Sequence, residues 1–194
     1  MTSLQQDRHL DVLVEHDVVT HSAARRGLAV LRVAFGLTFL WAFVDKLLAL
    51  GFATGVNSET GAVDRFGPDA LINGGSPTFG LLSFVVPEGN PFREFFTGLA
   101  GDPWVDWLFM VGLLGIGLAL TLGIGMRLAA GAGALLYLMM WAASLPLENN
   151  PVIDDHIIGA IAVVVLAMTL AGDTWGLGKR WANSKLVRRY PILR

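Results

Sequence analysis

The chain has 194 residues, 54% of them apolar and only 15% charged, and its formal net charge is −2. Soluble domains carry about 25% charged residues, so the composition argues against one and for a single small helical membrane domain. There is no cysteine, which excludes disulfides, thiolate metal sites and any sulfur relay through a protein thiol.

Residues 1–27 are polar and hold Arg8, Arg25 and Arg26 without an apolar run. They lack a signal-peptide pattern, because the apolar stretch comes too late and no cleavage motif is evident. A flexible or surface-lying arm is expected. The first span covers about 28–52. One helical face carries Arg32, Phe35, Gly36, Phe39, Phe43 and Lys46, while Asp45 points nearly the opposite way beside Trp41 and Leu48. Adjacent residues on a helix do not face each other, so Asp45 and Lys46 need separate partners.

Residues 53–103 form a long connection punctuated by Gly and Pro. Its second half is apolar and aromatic, too short and broken to cross a bilayer. It reads as a short interfacial or re-entrant segment, with a small amphipathic helix over Phe92 to Leu99. The second span, 104–122, opens on Trp104 and Trp107, placed for an aromatic belt. Its Gly115, Ala119 and Gly123 form a ridge of small residues that admits a close helix neighbour. A tight turn to Arg127 leads into the third span, 128–147, with small residues Ala129, Ala130, Gly133 and Ala134 at the same spacing. After Glu148-Asn149-Asn150, Pro151 suits a first helical position and opens the fourth span, 151–171. A basic tail, 173–194, ends the chain.

The cations set the orientation. The arm, the turn at Arg127 and the tail hold nearly all of them; the two opposite connections hold only Arg65 and Arg93, against carboxylates that include Glu59, Asp64, Asp69, Glu88, Glu94, Glu148, Asp154 and Asp155. The positive-inside rule then places both termini in the cytoplasm. The expected fold is an all-α integral membrane protein: a four-transmembrane-helix bundle over residues 28–172 with a long extracytoplasmic loop, 53–103, between helices 1 and 2.

This orientation brings Asp45, Lys46, Arg93, Glu94 and the stretch Glu148 to His156 to one outer end. Ionisable groups inside a membrane are expensive and point by default to function. Lys46 reads either as a snorkelling or ion-paired lysine or as a substrate contact, and Asp45 as paired or titrating. Arg32 lies within reach of the inner headgroups. Asp154 and Asp155 gain from the dipole at a helix start, and His156 is either hydrogen-bonded structure or a proton relay near neutral pH. No metal site is expected: a single core histidine without cysteine suits neither zinc nor haem, though carboxylates can hold a hard cation weakly. The basic tail reads as an inner-leaflet anchor rather than a nucleic-acid patch.

Four stretches carry a resemblance. Leu-Arg-Val-Ala-Phe-Gly from Leu31, Trp-Ala-Phe-Val-Asp-Lys-Leu from Trp41, Asn-Pro-Val-Ile-Asp-Asp-His-Ile-Ile from Asn150 and Ala-Gly-Asp-Thr-Trp-Gly-Leu-Gly from Ala171 resemble the DoxX/DoxD family of small four-helix membrane proteins, nearest the membrane-subunit type of thiosulfate:quinone oxidoreductase. The resemblance covers about Gly27 to Trp181, with Arg32, Lys46, Asn150, Pro151, Asp155 and His156 at motif positions. It implies a multi-pass protein of a bacterial or archaeal cytoplasmic membrane, linked to quinone-dependent oxidation of thiosulfate or another small sulfur compound. Partners would be the lipid bilayer and a second subunit or further copies of the chain, with no nucleic acid. On this reading His156, oriented by Asp155, handles the quinone proton; Lys46, Asp45, Arg93 and Asn150 form the substrate or quinone site. Quinone enters as substrate, and no haem, flavin or metal site is evident. A non-catalytic scaffold or assembly partner is the alternative. A transporter using Asp45 and His156 as proton carriers comes third, since it lacks the broken-helix repeat such proteins use.

Overall fold

A computed structural model describes residues 12–57, 59–148 and 150–194. The part of the expected arm before residue 12, with Arg8, and Asn149 of the polar turn lie outside the described residues. The described chain is helical throughout apart from loops and one isolated bridge between Val56 and Val63. A single turn, α1 (Glu15–Val18), precedes α2 (Ser22–Leu48); α3 (Arg93–Gly98) sits in the long connection; α4 (Pro103–Leu122), α5 (Met126–Ala143) and α6 (Asp155–Met168) follow, then α7 (Gly178–Ala182) and α8 (Lys185–Arg189). Three of these, α2, α4 and α5, are long and apolar enough to cross a membrane; α6 is apolar but has 14 residues.

The boundaries differ from the sequence reading where specific residues intervene. The first helix starts six residues early, at Ser22, because nothing in Ala23 to Gly27 breaks a helix, and stops at Leu48, where Ala49 takes a left-handed conformation with φ 52°. The third stops at Ala143, since Pro146 cannot continue it. The fourth starts at Asp155 rather than Pro151. Asn150 Oδ1 accepts the N–H groups of Val152 and Ile153, which holds that stretch in a turn, and Asp154 caps the helix by accepting the Ile157 N–H at 3.1 Å.

Helix α2 packs along α4, α5 along α6, and α4 against α5 joins the two pairs. The shared core is built from Phe39, Met110, Leu113, Ile116, Val163 and Leu166 with the small residues Ala129 and Ala130. On the α2 face that carries Arg32 to Lys46, the residues Arg32, Gly36 and Phe39 are buried; so is Asp45, on the other side of the helix. A side chain at Gly36 would lie 2.4 Å from Thr121 Oγ1, so only glycine permits this crossing. The small-residue ridge on α4 is shifted from expectation. Gly115 faces open space, whereas Gly117 meets Leu40 of α2, because Leu113, Ile116 and Leu120 turn the opposite stripe inward.

At the end where both terminal segments lie, Arg32 is completely buried. It does not reach headgroups. Its Nε donates to Ala171 O at 3.0 Å; Nη1 donates to Leu120 O and to Thr121 O at 2.8 Å; Nη2 donates to Thr174 O and Trp175 O at 3.3 and 3.2 Å. These carbonyls belong to the last turn of α4 and the exit of α6, where a helix leaves its final C=O groups without partners and favours a cation. Gly123, at φ +72°, lets the two strands of backbone touch: a Cβ there would meet Gly172 O at 2.6 Å.

Replacing Arg32 with Met should cost about 3–5 kcal/mol, the usual loss on breaking a buried, hydrogen-bonded charge. Arg32→Lys, with three donors for five carbonyls, should fall between. Thermal unfolding of the purified protein in detergent checks the order wild type, Lys, Met.

Candidate functional site

At the opposite end, the first turn of α6 holds the best-organised ionisable pair. His156 Nδ1 lies 2.7 Å from Asp154 Oδ2 and 3.7 Å from Asp155 Oδ1. The side chains of His156 and Asp154 are 18% and 17% exposed, that of Asp155 93%. The carboxylate that orients the imidazole is therefore Asp154, not the expected Asp155. Helical geometry explains the exchange. Asp154 is the N-cap, outside the helix, so its side chain folds back over the first turn toward both Ile157 N–H and His156; Asp155, already helical, projects outward. The two Asp154 oxygens accept from the Ile157 N–H and face the imidazole Nδ1, so the ring is held at two points of the first turn.

With Nδ1 engaged by Asp154, Nε2 is the ring nitrogen left without a hydrogen-bond partner among the described residues. The ring of Tyr137 of α5 has its centroid 6.3 Å from that of the imidazole and lies edge-on to Phe39 and Phe35 at 5.4 and 6.2 Å. Gly159, one turn beyond the histidine, makes room for that phenol ring: a Cβ there would lie 2.8 Å from it. Tyr137 was not singled out in the sequence, although it is the only tyrosine in any span.

The other expected site residues serve the loop. Asp45 is buried and accepts the N–H groups of Phe52, Ala53 and Thr54 at 2.9–3.3 Å, turning the chain back on the end of α2. Asn150 shapes the turn before α6. Arg93 donates to Val86 O within the loop. Lys46 is half-buried and lies 6.0 Å from the ring centroid of Phe109 on α4, a cation–π distance. Among the described residues no hydrogen bond or ion pair joins these four to the His156–Asp154 pair, so the expected single outer cluster divides into that pair, three loop anchors and Lys46 against α4.

Two further anchors escaped the sequence reading. Asp106 in the first turn of α4 accepts from Ser76 Oγ, Thr78 N and Thr78 Oγ1 at 2.7–3.0 Å. Asn90 donates to Ala142 O and Ala143 O at 2.8 and 3.0 Å, satisfying the last carbonyls of α5. Asp106 carries the same signal as Asp155, an acid in a helix start, which does not separate a loop anchor from a site. Between these anchors lies a small apolar cleft of about 110 Å³, walled by Leu82, Val86, Phe96, Phe109, Met139 and Met140. Its flap, Leu81–Val85, leaves Phe84 78% exposed.

The ligand-type atoms of Asp154, Asp155 and His156 lie within 4.8 Å of one another, a spacing a cation could use. Both Asp154 oxygens are already engaged, by Ile157 N–H and by the imidazole, so the geometry suits a proton relay better than a metal. Comparison with models of known protein families, with curated proteins and with solved structures gives no match.

Asp154→Asn keeps the helix cap, since Asn caps as well as Asp, whereas Asp154→Ala should lose about 1 kcal/mol. Melting curves at pH 7 in detergent should show this loss in Asp154→Ala and a smaller one in Asp154→Asn.

Proposed function

We propose that the chain is a four-span membrane subunit of a quinone-linked oxidoreductase, with both terminal segments in the cytoplasm and the His156–Asp154 pair at the outer face. The fourth span would be α6 together with the turn before it and the exit to Ala171. The observation that carries the reading is the pair itself: an imidazole held through Nδ1 by a capping carboxylate, with Nε2 left without a hydrogen-bond partner among the described residues. Such an arrangement is what a general acid–base group needs, because the carboxylate fixes the ring and offsets its charge when protonated.

Reduction of a quinone takes two electrons and two protons. In this proposal the electrons come from thiosulfate or another small sulfur donor, delivered by a second subunit. His156 hands one proton over at Nε2 and is recharged from the outer aqueous phase for the second. Asp154 stays ionised throughout and balances the imidazolium. The small apolar cleft between loop, α4 and α5 offers hydrocarbon-lined space at the same end, with Lys46 over Phe109 and Arg93 on Val86 O as cations at its wall. The resemblance to the DoxX/DoxD family supports the substrate class. A second reading, a non-catalytic scaffold for a redox complex, is favoured by one observation: Asp45, Asp106, Asn90 and Arg93 all hold the outer loop in shape, as a docking platform requires.

Two measurements test these readings. In a chain without cysteine, a single cysteine at Glu59 should react with a membrane-impermeant thiol reagent in intact cells, and one at Lys185 only after lysis; the reverse pattern inverts the topology. Quinone reduction with thiosulfate, with co-purified partners present, should fall about 10²–10⁴-fold in His156→Ala, the usual worth of a general acid–base group. It should fall in Asp154→Asn and persist in Asp155→Asn. A stoichiometric partner with quinone reduction unchanged by His156→Ala would favour the scaffold.

A further inference from the structure

At the end away from the proposed reaction, a second titratable group is buried without a full set of partners. Glu15, in α1, is 1% exposed although it belongs to a stretch that reads as a surface arm. Its N–H donates to Asp173 Oδ2 at 2.9 Å. Its Oε2 accepts from Thr174 Oγ1, while Oε1 is buried with no hydrogen-bond partner among the described residues. The pair Glu15 and Asp173 thus brings two carboxyl groups together at the exit of α6.

The charges around them are unevenly committed. Arg194 bonds to Asp173 Oδ2 at 3.2 Å, so it serves Asp173 rather than Glu15. Arg25 of α2 donates to Val19 O and Thr20 O. The guanidinium of Arg32 is filled by five carbonyls, two of them, Thr174 O and Trp175 O, beside the Glu15 contact. On its own element, His16 and Asp17 are exposed, and Asp17 caps Val14 N–H. Among the described residues no cation forms an ion pair with Glu15. A buried carboxyl without one is held more comfortably neutral, and a proton on Oε1 adds no charge to a dry site.

We propose that the segment ending in α1 is a proton-linked latch: it docks on the α6 exit with Glu15 protonated and releases when Glu15 ionises. Burial raises the Glu15 carboxyl from its ordinary value; the Thr174 hydroxyl lowers it in part, Asp173 raises it further and Arg25 lowers it. The sign follows from linkage. A carboxyl raised in the docked state contributes docking that is complete below its ordinary value of about 4.3 and is lost as pH rises through the docked value, by up to tenfold in the docked-to-released ratio per pH unit for one proton. Arg32 and Gly123 keep the helix ends in place whether or not the segment is docked, so release need not disturb the bundle.

Spin labels on cysteines introduced at His16 and Lys179, both exposed, report the docked distance in the full chain reconstituted in lipid. A single short distance at acidic pH, giving way to a longer component as pH rises, is the expected result. Glu15→Gln, neutral at every pH, should keep the short distance throughout. The proposal is overturned if the distances do not change with pH, or if Glu15→Gln shows the same transition as the parent, which would assign it to Asp173 or another group.

Discussion

The contact on which the rest depends is one guanidinium against five carbonyls. Arg32 brings a full charge into the apolar interior, where desolvation costs several kcal/mol unless every donor is matched. The match comes from the frayed ends of α4 and α6, whose final C=O groups carry partial negative charge and have no helical partners. Each side solves the other's problem. The helix ends can converge only because Gly123 and Gly172 leave their backbones in contact. The two helix pairs are therefore tied at one end by a polar knot, and at mid-height by Phe39, Met110, Ile116 and Val163.

The other end is organised by different chemistry. There, acids and amides hold down a long loop one segment at a time: Asp45 takes its start, Asp106 its middle, and Asn90 joins its far part to α5. These buried polar groups are satisfied, so they specify the loop's path rather than storing reactivity. What remains without a hydrogen bond among the described residues includes the far nitrogen of His156 and the Lys46 ammonium over Phe109. The site proposed at this end is found by subtraction, once each ionisable side chain with a full set of backbone partners has been set aside.

That subtraction explains what could and could not be read in the sequence. The apolar runs of α2, α4 and α5 were legible because hydropathy alone decides them; which side of α2 turns inward was not, since Arg32 and Asp45 are both buried. The fourth helix was read too long because its start depends on two side chains, Asn150 and Asp154, choosing backbone N–H groups over water. The pairing of His156 with Asp154 instead of Asp155 turns on which acid is the N-cap, a matter of one residue. Arg32 and Glu15 were misjudged for a deeper reason. Their partners are carbonyls and a hydroxyl far along the chain, and backbone carbonyls leave no mark on a sequence.

The same separation has a consequence for how the chain is made. The partners of Arg32 stand 88 to 143 residues downstream, and the last of them follow α6. A chain emerging from its N-terminus carries α2 for most of its synthesis with the guanidinium unmatched, so water or lipid headgroups must hold it until the α6 exit arrives. The loop anchors close in the reverse spirit, at separations of 7 to 9, then 28 to 30, then 52 to 53 residues. The loop end can thus zip up progressively as the chain lengthens, while the end that holds the terminal segments completes only with the final helix.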